Sequence, residues 1–351
     1  MEPQRAELWM TPKRRILSGV FGGRVDRAPV GSPTSVVTLE LQEAVGAYFP
    51  EAHWEVDAMT RLAASGHDVL GYDCVMPVFS VVQEAAALGC DINWGGRESM
   101  PAARGAHWKL AEDVRLPDDF LRHRATRCVL DSLSALRGLY RDRVAVVGKA
   151  MGPWTLAYEM FGVTEFLMMV IDDPAEVRRI LDRLKVITIL FARAQFDAGA
   201  DVVCIPDHIT GNLVGPRVYR DILLPVHQEI TQEVQGPLVL HCCGDTLDRL
   251  EYFVAAGWDC YHFESLVDAV AAKRVVGDRM SLWGNVNNAG TLLLGSPDEV
   301  AQETLYAWNA GVEILGPECA VPLRTPNANL MAIAEAASRL RPGGRTTGPL
   351  E

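Results

Sequence analysis

Eight apolar runs alternate with helix-like segments along the 351 residues, and this alternation restricts the fold more than any other feature. The runs are 28–33 (APVGSP), 67–75 (HDVLGYDCV), 143–152 (RVAVVGKAMG), 200–207 (ADVVCIPD), 237–245 (PLVLHCCGD), 258–265 (WDCYHFES), 281–286 (SLWGNV) and 312–319 (VEILGPEC). Each is nearly continuously apolar and closes on a polar or Gly-containing tip, the pattern of parallel strands covered by helices on both faces.

The intervening segments carry explicit helix signals. In 172–199, Asp172 or Asp173 serves as N-cap, Pro174 takes the first helical position and Gly199 ends the helix. In 296–311, Ser296 and Glu299 make a capping box, with Pro297 in the first turn and Gly311 after the last. Segments 215–236 and 325–344 read the same way, with a kink expected at Pro225.

Eight such units predict an α/β fold of the (β/α)8 TIM-barrel type, and 351 residues fit one such domain. A doubly wound sheet is the competing architecture, but no Gly-x-Gly-x-x-Gly follows any run. The expected organisation is an N-terminal helical extension over 1–27 and a single barrel over 28–341. An insertion at about 79–139 covers the barrel mouth, and residues 342–351 form a disordered tail.

Charge and cysteine usage narrow the partners. Lys and Arg total 33 against 45 Asp and Glu, a net −12, and the one basic cluster is PKRR at 12–15, so nucleic acid is a poor partner. The N-terminus lacks an apolar signal region, and runs such as FLMMVI (166–171) are too short for a bilayer. No membrane association and a cytoplasmic location are expected. The eight cysteines lack the dense spacing of a disulfide scaffold, which suits reduced thiols.

Barrel chemistry concentrates at the C-terminal strand tips, which here carry Asp207, His241, Cys243, Glu264, Asn285 and Cys319. His241 and Cys243 are two apart and share one face of an extended strand, while Cys242 points to the other. Cys319 ends the last run, which a closed barrel returns to the same mouth. One imidazole and two thiolates form a zinc-type set with an open fourth position. The competing reading is a hydrogen-bonded strand-end histidine with two core thiols. Cys204, Cys242 and Cys260 read as core thiols.

The segments TPKRRILSGVFGGRVDRAPV, GPWTLAYEMFGVTEFLMMVIDDPAEV, HCCGD, GNVN and LGPECAVPLRTPNANLMAIAEAA resemble the uroporphyrinogen decarboxylase superfamily over nearly the whole chain. Within it, the zinc-dependent methylcobamide:coenzyme M methyltransferase branch is the nearer likeness. The decarboxylases carry an Arg-rich RQAGRY-like segment near the first strand; the corresponding stretch here is PVGSPTSVVTLELQEAVG, which argues against tetrapyrrole decarboxylation.

The resemblance implies His241, Cys243 and Cys319 as Zn(II) ligands, and a substrate thiol bound as thiolate that takes the methyl group of a methyl-Co(III) corrinoid. Two anionic sulfur ligands keep zinc a weak Lewis acid, favouring alkyl transfer over water activation. No Asp-x-His-x-x-Gly corrinoid-binding segment is present, so a separate corrinoid-carrying protein is the expected partner. The alternative is an enzyme that demethylates a small methylated substrate to load a Co(I) corrinoid; a binding module without turnover is a third reading.

Around the metal set, Glu264 is either a resting fourth ligand or a solvated carboxylate, and His262 is a candidate hydrogen-bond donor to a ligand. Asp207 either holds His241, positions substrate or caps a loop. Asn285 is a candidate for substrate or zinc-shell contact. Arg324 either pairs with an anionic group on the thiol or is a surface charge.

Overall fold

A computed structural model of the chain describes residues 9–342. The expected tail beyond Pro342 and the first eight residues of the extension lie outside the described residues.

Seven strands form one parallel sheet: β1 (Cys74–Val75), β4 (Ala145–Lys149), β5 (Val202–Pro206), β6 (Leu238–Cys242), β7 (Cys260–Phe263), β8 (Ser281–Val286) and β9 (Ile314–Pro317), paired in that order. A separate antiparallel pair, β2 (Ile92–Asn93) and β3 (Ala102–Ala103), stands apart from it. The run at 28–33 makes only a single parallel bridge, Val30 to Leu315. It nevertheless closes the ring, because Leu315 N donates to Pro29 O, Gly31 N donates to Leu315 O, and Asp73 N donates to Val30 O across to β1. The result is the expected (β/α)8 barrel with a much reduced first strand.

Sequence explains the tightness of that seam. A Cβ on Gly316 would run into the carbonyl oxygen of Gly31, so two glycine backbones meet where side chains would hold them apart. The second run is also shorter than expected. His67 and Asp68 belong to the helix Val56–Asp68, and pairing begins only at Cys74.

Every residue of β4 to β9 is buried, as a sheet sandwiched between barrel interior and helix layer requires. Helix Pro174–Asp197 shows how the outer layer packs. Asp173 Oδ1 accepts from Glu176 N at 3.0 Å, Pro174 starts the helix, and Val177, Ile180, Leu181, Leu184, Ile187 and Phe191 form the buried stripe. Burial of each such aliphatic side chain stabilises by roughly 1.5–3 kcal/mol. The capping box Ser296–Glu299 and left-handed Gly311 bound the helix Pro297–Ala310. Near Pro225 the helix does not simply bend: a π turn at Tyr219–Leu223 precedes the regular helix Leu224–Glu233, which absorbs the missing N–H.

The floor of the barrel is tied by charge. Helix Pro12–Val20 carries Arg15, only 2% exposed, whose guanidinium binds Asp26 Oδ1 at 2.7 Å and Asp73 Oδ1 at 2.7 Å. Arg27 adds a second bond to Asp73 at 2.8 Å. Part of the basic PKRR cluster is therefore a buried structural pair. The region from Phe79 to Leu139 holds the β2–β3 hairpin and several short turns, and its last part runs in the helix Arg124–Tyr140. Among the described residues no single helix is long and apolar enough to cross a membrane.

Candidate functional site

His241 lies next to last in β6, in register with Pro206 on one side and His262 on the other. Cys243 follows the strand end, where Gly244 turns the chain with φ +80; a Cβ there would collide with Thr210 Oγ1. Cys319 stands two residues beyond β9. The three donor atoms meet at the C-terminal mouth. His241 Nε2 is 3.2 Å from Cys243 Sγ and 3.3 Å from Cys319 Sγ, and the two sulfurs are 3.3 Å apart.

A sulfur–sulfur separation of 3.3 Å excludes a disulfide, and both thiols are free. A tetrahedral zinc with Zn–S of about 2.3 Å and Zn–N of about 2.0–2.1 Å would set these atoms roughly 3.6–3.8 Å apart, within small side-chain rotations of the arrangement seen. The donor set itself suits a soft cation. The bond from Cys243 holds the Cys319 thiol well below its usual range, against the opposing effect of burial. Donation to Cys319, followed by burial, pushes Cys243 up.

The neighbouring histidine fixes the proton on His241. His262 Nε2 sits 2.8 Å from the carbonyl oxygen of Pro317, to which it must donate. Burial pushes His262 down to about 3, so its imidazole is neutral and its Nδ1 is bare. That Nδ1 lies 2.9 Å from His241 Nδ1, which therefore donates and leaves Nε2 unprotonated toward the two sulfurs. His262 thus accepts from His241, opposite to the donor role expected from sequence.

Glu264 Oε2 accepts from Gly244 N at 2.8 Å, and its carboxylate groups with the sulfurs of Cys243 and Cys319 within 4.8 Å. Burial raises its pKa. Asp207 is fully buried and turned elsewhere: Oδ1 accepts from Thr155 N at 2.7 Å and Oδ2 lies 2.9 Å from His227 Nε2. It ties the loops after β4 and β5 together. Asn285 Nδ2 donates to Val267 O at 3.3 Å and is not among the gathered donors. Arg324 is far more open, its side chain 75% exposed and paired with Glu98 at 2.5 Å. Cys242, Cys204 and Cys260 are buried thiols pushed up by desolvation.

Three residues at the mouth escaped sequence reasoning. His208 Nε2 lies 3.8 Å from Cys243 Sγ, and burial lowers its pKa; its signal was its place directly after the Asp207 strand tip. Glu318 accepts from Ser265 N at 2.7 Å and Asn288 N at 2.7 Å, bracing the loop that carries Cys319. Lys149, the last residue of β4, is 3% exposed, and burial pushes its amine down to about 8.

Residues 11–340 match the Uroporphyrinogen decarboxylase (URO-D) family. The chain belongs to that family. This URO-D chain is similar to a methylated-thiol–coenzyme M methyltransferase of Methanosarcina mazei, at 30% identity over 93% of this chain and 89% of that one. It is 31% identical to the methylcobamide:CoM methyltransferase MtaA of Methanosarcina barkeri, over 93% and 97% of the two chains. A solved methyltransferase structure from Methanosarcina mazei superposes with a TM-score of 0.90 at 31% identity, covering 94% of this URO-D chain and 98% of the other.

Proposed function

We propose that this URO-D family member is a zinc-dependent, corrinoid-linked methyltransferase that moves a methyl group between a methyl-Co(III) corrinoid protein and a thiol of the coenzyme M type. The observation that carries the reading is the triangle of His241 Nε2, Cys243 Sγ and Cys319 Sγ at 3.2–3.3 Å on the barrel mouth. The methyltransferase relatives that span nearly the whole chain support it.

His241, Cys243 and Cys319 would hold the metal, and Glu264 is the neighbouring carboxylate placed to join them. Zinc bound there lowers the pKa of a thiol occupying the open position, so that sulfur is present as thiolate at neutral pH. His262 leaves His241 Nε2 unprotonated, so that it could bind a metal, and Glu318 holds the Cys319 loop in place. The substrate sulfur forms its S–C bond with the methyl carbon as the Co–C bond breaks, and the electron pair of that bond stays on cobalt, giving Co(I). The thiol proton leaves to solvent. The corrinoid arrives on a separate protein that docks at the same mouth.

One relative is named for a methylated thiol, which favours the reverse step as a second reading: a methyl group passes from a thioether to Co(I). Zinc content, together with the visible spectrum of methylcobalamin mixed with thiols, tests the proposal. Wild-type protein is expected to carry one zinc and convert methyl-Co(III) to Co(I), and Cys319→Ala to lose both. Full turnover by a zinc-free Cys319→Ala variant rules the zinc thiolate out. Methylation of Co(I) by a methyl thioether, with no turnover in the other direction, selects the second reading.

A further inference from the structure

The metal triad occupies one side of the mouth, built by the later strands. On the other side lies a group of buried polar atoms that the metal does not use. Lys149 ends β4. A Cβ on its neighbour Gly148 would press on Gln195 of the outer helix Pro174–Asp197, so Gly148 faces the helix layer and Lys149 faces the barrel interior. Gln195 also grips the Lys149 backbone, accepting from its N at 2.7 Å and donating to its O at 2.9 Å.

The amine of Lys149 is an isolated cation. Among the described residues no carboxylate oxygen lies within 4.0 Å of Nζ, although the protein carries net charge −12. Its charge acts on Cys319 and His208 on the metal side and on Glu84 and His53 on the far side. His53, Ser80, Gln83 and Glu84 are buried, and both ring nitrogens of His53, the Ser80 hydroxyl, the Gln83 Oε1 and the Glu84 Oε2 lack partners among the described residues. Ser80, Gln83 and Glu84 follow β1 as the triad residues follow or end the later strands, and His53, in the turn Glu51–His53, is tied to them by Gln83 Nε2, which donates to its carbonyl oxygen at 2.9 Å. Buried polar atoms without partners are rare in a folded chain, and a buried ammonium with no counter-ion is rarer. Together they outline a site for a group that the protein does not itself supply.

We propose that Lys149 is the specificity-determining residue for the thiol substrate, pairing with an anionic group at the end opposite the sulfur. The inference rests on the thiol reading of the metal site and extends it: sulfur at the His241–Cys243–Cys319 triad, an acid such as a sulfonate or carboxylate at Lys149. His53, which feels the Lys149 charge and has both ring nitrogens unpartnered among the described residues, supplies a neutral hydrogen bond to the same anion. Arg324, the cation that sequence alone suggested for this task, is held at the surface by Glu98.

The test uses zinc-loaded protein and three short thiols with methylcobalamin as donor: 2-mercaptoethanesulfonate, 3-mercaptopropionate and uncharged 2-mercaptoethanol. Wild type should favour the anionic thiols by about 10- to 100-fold in kcat/KM, the range of one charge-assisted bond. The relative rates of the two acids separate sulfonate from carboxylate recognition. In Lys149→Met the ratio of anionic to neutral kcat/KM should collapse toward unity, chiefly through KM, and Lys149→Arg should restore part of it. A wild type with no preference, or a Lys149→Met variant that keeps the preference, overturns the inference whatever the absolute rates. Binding of ethanesulfonate, which has no thiol, is followed by ligand-observed NMR on wild type and Lys149→Met without turnover. Binding lost with the lysine sustains the inference even where methyl transfer fails, so its fate and that of the thiol reading are separable.

Discussion

Nδ1 of His241 and Nδ1 of His262 lie 2.9 Å apart, and one proton is shared between them. Because the other nitrogen of His262 is spent on Pro317 O, that proton belongs to His241. The backbone carbonyl at the end of β9 thus decides, through two rings, which nitrogen of His241 carries the proton. A histidine paired in this way is expected to matter for metal affinity although it touches no metal. His262→Phe should weaken zinc binding by about 10- to 100-fold. Chelator competition measures this; an unchanged constant would mean the tautomer is set elsewhere.

Metal and fold should be coupled. On the proposed reading zinc binds only the folded site, and at about 100 times its dissociation constant it would add roughly 2.7 kcal/mol of stability. Thermal melts of wild type should rise with zinc and fall with chelator, while Cys319→Ala should not respond to either. A variant that still responds to zinc would place the ion elsewhere.

Two groups flank the triad, and they should differ. X-ray absorption at the zinc edge of the resting protein should show one fewer light-atom neighbour in Glu264→Ala and no change in His208→Ala. The opposite pattern would give the fourth position to His208.

Arg15 binds Asp26 and Asp73 out of water, so its loss leaves Asp26 without a cation while Asp73 keeps Arg27. Arg15→Met should cost about 3–5 kcal/mol in urea unfolding at neutral pH. Burial alone would raise the Asp26 pKa, but its bonds to Arg15 and to Met10 N hold it below 3.8. Its contribution is therefore complete above its unfolded pKa and is lost as pH falls through the lower, folded value. Arg15→Met should lack that acid-sensitive share.

Lys149 makes the opposite prediction. Burial pushes its amine from 10.5 down to about 8. Below pH 8 both states hold the proton and the buried charge costs stability; between about 8 and 10.5 only the unfolded chain is protonated, and stability rises with pH. The gap corresponds to roughly 3 kcal/mol as an upper bound. Lys149→Met should therefore unfold later than wild type at pH 7 and lose the rise above pH 8. A destabilised Met variant would show that the amine has a partner in the fold.

Much of this was legible in the chain. Alternating apolar runs and caps at Asp173 and Ser296 announced the barrel, and period-two alternation separated His241 and Cys243 from Cys242. The first strand was not legible as a seam, because its pairing depends on two glycine backbones meeting from opposite ends of the chain. His262 was found, but the direction of its hydrogen bond depends on Pro317 O, which no local pattern reveals. Lys149 was hidden inside an apolar run, where a single charge looks like a strand end. Only the three-dimensional packing shows that no carboxylate among the described residues pairs with it.

The seam between Val30 and Leu315 also sets an order of events. The polar wall of His53, Glu84 and Lys149 comes from the first half of the chain, and the metal ligands from the second. Chains emerge N-terminus first, so the residues of that wall are synthesised before Cys319. The last ligand lies just past the strand that shuts the ring. Closure of the ring and completion of the candidate metal set therefore depend on one short stretch, from β9 to Cys319.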